Sequence, residues 1–339
     1  MPTLFITSPL EPEYAARMAG LDPRLTVDYQ PDLLPVARFP ADHGGAPLTR
    51  TAEQQARWKA GLAGADILWG VPSAVDGAHA TRVQWIQGTS TGVGPAVAKL
   101  NRPDLHVTTA RGVHARPLAE FVFMALLAHF RGLAALRADQ KMHHWRRGCV
   151  EEIAGKTLVI LGAGDLARGC ARIARALDMH VVAVARDPGR DRVHAGLFDE
   201  VVASSALHAA MRRADAFVIT VPFTPLTDRM VDAAALACLP RGAAFVNIGR
   251  GTVVDEAALV AALRSGQVGY AALDVTAVEP LPEDSPLWDM PNVLISPHSA
   301  STVSTENAQI VDIFAHNLQL WLDGRRSEMR NVLDQVKLY

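Results

Sequence analysis

Cysteine is scarce in this chain, and no stretch of it is both apolar and long enough to cross a bilayer. The three cysteines, Cys149, Cys170 and Cys238, lie far apart without a CxxC pair, so neither a disulfide framework nor a thiolate zinc site is signalled. That usage fits a reducing compartment, and the three are read as small buried apolar residues. The longest apolar run, Leu118 to Phe130, is interrupted by Glu120 and His129 and falls short of the roughly 20 residues a membrane helix requires. An excess of one charge is lacking too: 33 Lys plus Arg face 35 Asp plus Glu, a formal net charge of -2, which leaves no electrostatic footprint for nucleic acid. The N-terminus, MPTLFITSPL, has no basic region leading into an apolar stretch, so the expected address is the cytoplasm and no membrane partner is expected. Repeats and low-complexity segments are absent.

What remains is a globular composition, 49% hydrophobic and 20% charged over 339 residues, enough for two domains. Short β-type runs alternate with Ala-, Leu- and Arg-rich helical stretches. LFIT (4–7), LTVDY (25–29), DILWG (66–70) and VQWIQ (83–87) come first, and one long helix is expected over 118–137. A second series follows with TLVIL (157–161), HVVAVA (180–185), EVVA (200–203), AFVIT (216–220), AAFVNI, GYAALDV and NVLIS. The second set is near-continuously apolar, as strands are when helices cover both faces of a parallel sheet. The fold class is therefore α/β, with two doubly wound parallel-sheet domains.

TLVIL runs straight into Gly162-Ala-Gly164-Asp-Leu-Ala167, and a helix-forming stretch follows. This is a GxGxxA loop between strand and helix. Gly162 permits the turn, Gly164 admits a pyrophosphate close to the backbone, and Ala167 lets helix pack on strand, with Asp165 and Leu166 opening the helix that faces the phosphates. About 20 residues further on, where an acidic side chain would hold the ribose 2′-hydroxyl, stands Ala185. Arg186, with Arg190 and Arg192 nearby, matches a 2′-phosphate instead, so NADP(H) is favoured over NAD(H). If the strand runs two residues longer, Asp187 takes the acidic role.

Three polar residues each follow the carboxyl end of an apolar strand: Arg250 in VNIGRGTVVDE, Glu279 in LDVTAVEPLPEDSPLW and His298 in NVLISPHSA. Ligands of open α/β sheets bind at that edge, so the three are expected to converge. The segments around them, NIGRGTVVDEAALVAAL, ALDVTAVEPLPEDSPLW and PNVLISPHSA, resemble the signatures of the D-isomer-specific 2-hydroxyacid dehydrogenases. VPFTPLTDRMVD (221–232) and LAEFVF (118–123) extend the likeness over nearly the whole chain.

The resemblance implies a Rossmann cofactor domain, set at 100–299, inserted into a flavodoxin-like substrate domain made of 1–99 and 300–339, and a homodimer. It also implies an NAD(P)-dependent reductase of small 2-oxo acids of the glyoxylate or hydroxypyruvate type. The chemistry needs a proton donor for the carbonyl oxygen and a cation for the carboxylate and developing alkoxide. His298 suits the first task, Glu279 would orient its ring, and Arg250 would bind the carboxylate through its fork of donors. By the same likeness Asp274 holds the nicotinamide carboxamide, and Pro222, Thr227 and Ile248 line the cofactor. Ser73, Gly92 and Val93 lie in loops whose amides bind the substrate carboxylate.

Two departures stand out. Gly94 replaces an acidic residue that usually helps start the next helix, and Pro117 stands where relatives often carry a small hydroxyl residue. The pair His143-His144 is read as surface, since neighbours on a helix point apart and no further ligand is suitably spaced. Whether Trp69 or Trp85 reaches the substrate pocket is left open. Two other functions remain as alternatives: a dehydrogenase for bulkier aliphatic or aromatic 2-oxo acids, and a nucleotide-sensing, corepressor-like binding protein. The chain's end at Tyr339 argues against a long regulated phosphoglycerate dehydrogenase.

Overall fold

A computed structural model describes residues 1–191 and 196–336 of the chain. Arg192 and the side chain of Arg190, two of the expected 2′-phosphate partners, lie outside the described residues. In chain order the strands are β1 (Thr3–Ile6), β2 (Thr26–Asp28), β3 (Ile67–Trp69), β4 (Trp85–Gln87), β5 (His106–Thr108), β6 (Thr157–Leu161), β7 (His180–Ala185), β8 (Glu200–Ala203), β9 (Ala216–Ile219), β10 (Ala243–Asn247), β11 (Val268–Leu273) and β12 (Val293–Ile295). The helices are α1 (Pro12–Ala19), α2 (Ala52–Gly64), α3 (Ala74–Gly77), α4 (Gly94–Ala98), α5 (Ala115–Phe130), α6 (Leu133–Lys141), α7 (Asp165–Ala176), α8 (Pro188–Asp191), α9 (Leu207–Met211), α10 (Ala233–Ala237), α11 (Glu256–Ser265) and α12 (Glu306–Leu322).

The chain divides into two compact units, 1–114 with 302–339, and 115–301. The first break falls at His114 rather than at residue 99 because β5 is a strand of the first sheet, its His106–Thr108 pairing with Trp85–Gln87 of β4. Unit 1 carries a five-stranded parallel sheet in the order β2-β1-β3-β4-β5, the flavodoxin-like order. The returning helix α12 closes its core. Phe314 stacks on Trp85 with ring centroids 5.0 Å apart and meets Trp69 edge-on at 6.1 Å. Trp69 and Trp85 are fully buried, and the Trp85 indole N–H donates to Thr108 Oγ1 at 2.8 Å, so these two rings are core residues of unit 1.

Unit 2 carries seven parallel strands in the order β12-β11-β10-β9-β6-β7-β8. Succession from β6 runs one way through β7 and β8, and the other way through β9 to β12, so the reversal lies between β6 and β9. The middle strands are buried end to end: β9 and β10 have no exposed residue, which is why they read as unbroken apolar runs.

One element differs from expectation. Residues 118–137 do not form one helix, since α5 and α6 are bent by 61° at a short break. Gly132 adopts φ +66° there, a left-handed conformation that glycine enters without a Cβ penalty. α5 is largely buried, whereas α6 has no buried residue. Among the described residues no single helix is long and apolar enough to cross a membrane. The cysteines also part company: Cys170 is buried, and burial pushes its thiol up to about 12, but Cys238 is half-buried and Cys149 exposed.

Candidate active site

The carboxyl edge of the unit 2 sheet gathers the candidates in strand order. After β6 the chain turns at Gly162, whose φ is +119°, and enters α7 at Gly164. The N-cap of α7 is Gly164 and makes no side-chain capping bond, so the helix begins on bare backbone, as phosphate-binding helix N-termini do. A Cβ placed on Gly164 would meet no atom within 4 Å, whereas one on Gly162 would lie 2.3 Å from Thr220 Oγ1. The loop thus leaves space on the ligand side of Gly164 and is filled behind Gly162. Ala167 is fully buried, as close packing of the helix requires. Asp165 pairs with Arg168 one turn on, and Leu166 is half-buried beside them. These residues fit the pyrophosphate of a dinucleotide.

β7 ends at Ala185, which is buried, so the strand does not extend to Asp187. Arg186 and Asp187 are both exposed beyond it. The Asp187 carboxylate accepts the N–H of Gly189 at 3.1 Å and so caps the turn into α8. After β9, Pro222 is exposed, and its carbonyl accepts the Thr227 hydroxyl at 2.8 Å. Thr227 Oγ1 also receives the Thr224 N–H at 2.8 Å, which spends its side chain on shaping the loop. Ile248, just past β10, is buried.

Arg250, Glu279 and His298 follow β10, β11 and β12, which are adjacent in the sheet. His298 Nδ1 lies 2.8 Å from Glu279 Oε2. A carboxylate only accepts, so Nδ1 carries the proton and Nε2, across the ring, is the nitrogen that can exchange a proton with a substrate. Both side chains are partly exposed, at 46% and 37%. Glu279 Oε1 accepts the Thr276 N–H at 3.1 Å, which fixes the carboxylate from its other oxygen. Arg250 is held close to the backbone, donating from Nη1 to the carbonyl of Gly249 at 2.6 Å.

Several supports lie inside the segments quoted above although no such role was expected of them. Asn247 clamps the Arg250 loop from both sides, its amide donating to the Arg250 carbonyl at 3.1 Å and its oxygen accepting the Gly249 N–H at 3.0 Å. Glu256, opening α11, accepts the Ala277 N–H at 2.9 Å. Gly251 leaves no room for a side chain, since a Cβ there would stand 1.9 Å from the Thr276 carbonyl oxygen. Asp274, expected as a nicotinamide contact, is buried, and its Oδ1 accepts from Ser296 Oγ at 2.7 Å, Ser299 N at 3.0 Å and Ala300 N at 2.9 Å. It therefore organises the segment carrying His298. For Asn247 and Asp274 the only signal available was position at the end of a strand.

In unit 1, Ser73 caps α3, receiving the Asp76 N–H at 3.1 Å and donating its hydroxyl to Asp76 Oδ2 at 2.9 Å. The Gly92 N–H donates to Ser90 Oγ at 3.0 Å, so this amide, expected to meet a carboxylate, is used within its own loop. Val93 is buried as the residue before α4. α4 starts at Gly94 without an acidic cap, helped by Pro95 in its first turn. His143 and His144 are exposed, and among the described residues no group of three or more His, Cys, Asp or Glu could hold a metal ion.

Comparison with known proteins bears on this arrangement directly. Residues 123–300 match the family model described as D-isomer specific 2-hydroxyacid dehydrogenase, NAD binding domain. The chain is 32% identical over 233 residues to the glyoxylate reductase of Aeropyrum pernix, covering 66% of this chain and 68% of that protein. It is 36% identical over 244 residues to the D-3-phosphoglycerate dehydrogenase of Mycobacterium leprae, where the match takes in 68% of this chain but spans only 45% of that longer protein. Among solved structures, the NADPH-dependent glyoxylate/hydroxypyruvate reductase of Sinorhizobium meliloti, in complex with NADP and sulfate, aligns with a TM-score of 0.79 and 26% identity over 100% of both chains. Sequence and fold thus agree, and the chain belongs to the D-isomer specific 2-hydroxyacid dehydrogenase family, whose members are oxidoreductases.

Proposed function

We propose that this protein reduces small 2-oxo acids, glyoxylate and hydroxypyruvate first, to D-2-hydroxy acids, with NADP(H) preferred to NAD(H). The observation that carries the reading is the His298–Glu279 pair at 2.8 Å, on the strand ends next to that of Arg250 and on the same sheet edge as the glycine loop. Gly162, Gly164, Asp165 and Leu166 would hold the dinucleotide phosphates. Pro222, Thr227, Ile248 and Asp274 would border its nicotinamide half. When bound, the nicotinamide supplies the hydride. His298 delivers a proton to the carbonyl oxygen from Nε2, Glu279 keeps the ring oriented for that transfer, and Arg250 pairs with the carboxylate while polarising the carbonyl. Ser73, Gly92 and Val93 are assigned to carboxylate binding on the resemblance of their loops, with Gly92 needing to exchange its bond to Ser90 for one to the substrate.

Support for the cofactor preference comes from the end of β7 at Ala185, with Arg186 next in the chain, and from the NADP in the Sinorhizobium relative. A bulkier substrate is the second reading, since nothing in the strand-end residues sets the size of the side chain accepted. The address remains the cytoplasm. A homodimer is supported by α6 and the segment after it, where Leu136 is 57%, Met142 64% and Trp145 94% exposed, an apolar face that a second copy would cover. The deciding experiment follows the reduced-nicotinamide absorbance of purified protein with NADPH and NADH in parallel. The acids are glyoxylate, hydroxypyruvate, pyruvate, phenylpyruvate and a branched 2-oxo acid. Turnover of the two small acids with NADPH ahead confirms the reading, and no turnover of any of the five overturns it.

A further inference from the structure

Unit 1 buries a charge that the proposed chemistry does not use. Glu306, the first residue of α12, is 4% exposed. Its Oε1 lies 3.1 Å from His43 Nε2 and 3.0 Å from His114 Nε2. Burial pushes the Glu306 carboxyl up, but the hydrogen bonds from His114 and His43 outweigh it and hold the group at about 2. It is a carboxylate at any working pH, so each imidazole must present an N–H at Nε2. A His114 ring with its only proton on Nε2 has Nδ1 as an acceptor, and Thr91 Oγ1 stands 3.3 Å from that atom. The chain of donors then runs from the Thr91 hydroxyl to His114 and from His114 to Glu306. Thr91 adjoins Gly92 and Val93, and the Gly92 amide bond to Ser90 Oγ closes the same turn.

Packing α12 does not of itself call for a carboxylate, since well-packed apolar side chains often replace a buried ion pair without loss of stability. What such a group supplies beyond packing is direction: it selects one tautomer of His114, and through it one orientation of the Thr91 hydroxyl. We propose that Glu306, acting through His114, is a positioning residue that holds the Thr91–Val93 turn in the arrangement that receives a substrate carboxylate. His43 completes the set of donors on Glu306 Oε1 and ties it to the connection between β2 and α2, where its carbonyl accepts the Ser8 hydroxyl at 3.0 Å. The assignment of the turn to carboxylate binding rests on the function proposed above.

The test pairs kinetics with a spectrum that does not depend on turnover. Thr91→Val removes the last link without touching the buried carboxylate, and His114→Phe removes the relay. Both should raise KM for glyoxylate about tenfold, the effect of roughly one hydrogen bond, while kcat stays within about twofold. Glu306→Gln, which keeps an oxygen acceptor in place, should restore KM part of the way from the value in Glu306→Leu. Imidazole ¹⁵N spectra of the wild-type protein should show His114 as the single Nε2–H tautomer, lost in Glu306→Leu. Unchanged KM in Thr91→Val and His114→Phe overturns the proposal, as does a loss of kcat instead of a rise in KM, or a mixture of His114 tautomers in the wild type. If the wild type turns over none of the 2-oxo acids, the function proposed above has failed, and the His114 spectrum alone decides whether Glu306 sets the ring.

Discussion

Asp274 holds His298 from two sides of one turn. Its carbonyl oxygen accepts the His298 N–H at 2.9 Å, while its carboxylate takes the donors of Ser296, Ser299 and Ala300. His298 itself has φ +52°, a left-handed backbone that costs a residue with a Cβ about 1 kcal/mol and persists only where its surroundings impose it. Asp274→Ala should therefore lower kcat by about 10²-fold, because misplacing a catalytic group by an ångström costs that much. Asp274→Asn, which keeps an oxygen for the same donors, should be milder. Steady-state kinetics with a parallel fluorescence titration of NADPH separates the two roles open to Asp274. Loss of NADPH affinity with kcat intact would return it to nicotinamide binding alone.

The proton-transfer assignment predicts that His298→Ala lowers kcat by about 10²- to 10⁴-fold while NADPH still binds. Glu279→Gln should cost less, about 10²-fold, because the ring stays and only its orientation and the favourable charge beside it are lost. Stopped-flow measurement of the first turnover checks both. Near-normal rates in His298→Ala would move the proton donor elsewhere.

For the cofactor, Arg186→Ala should weaken NADPH binding by about tenfold or more, the size of a charge-assisted hydrogen bond, and leave NADH within about twofold. Isothermal titration with both dinucleotides reads this directly. Equal losses would remove the 2′-phosphate from Arg186.

Stability against acid should report on Glu306. Its carboxyl sits below its ordinary 4.5, at about 2, so the unfolded chain takes up the proton first as the pH falls. The stabilisation is fully present above the ordinary value and drains away as the pH drops toward the folded one. Urea unfolding of the wild type and of Glu306→Gln, compared from about pH 6 down to about pH 3, should show the wild type losing its advantage across that window. Parallel curves for the two proteins would contradict the ionised, doubly bonded Glu306.

Much of this architecture is written locally. β6, β7 and β8 coincide with the runs TLVIL, HVVAVA and EVVA, since an apolar run ending at a Gly or polar turn has few other ways to bury itself. The placement of Arg250, Glu279 and His298 beyond the ends of adjacent strands was legible because each comes a short way after such a run. β5 was not: three residues, His106–Thr108, become a strand only because β4 offers an edge to pair with. The break at Gly132 was hidden in a helix-forming stretch, where a single glycine is compatible with either outcome. Glu306 was invisible for a different reason, since its burial depends on His43 and His114, hundreds of residues away along the chain in the first case. The helping roles of Asn247 and Asp274 are likewise set by which backbone donors the sheet brings to them.

The missing space at Gly251 bears on anyone who would re-engineer this enzyme's substrate choice. The loop that presents Arg250 lies directly against the backbone of Thr276 and Ala277, three and two residues before Glu279. Any side chain installed at position 251 would push apart the supports of Arg250 and Glu279 at once, so under the proposed function a mutant library that includes it should return inactive clones regardless of what else they carry. Diversity placed in the loops of unit 1 leaves that contact alone, and screening effort belongs there.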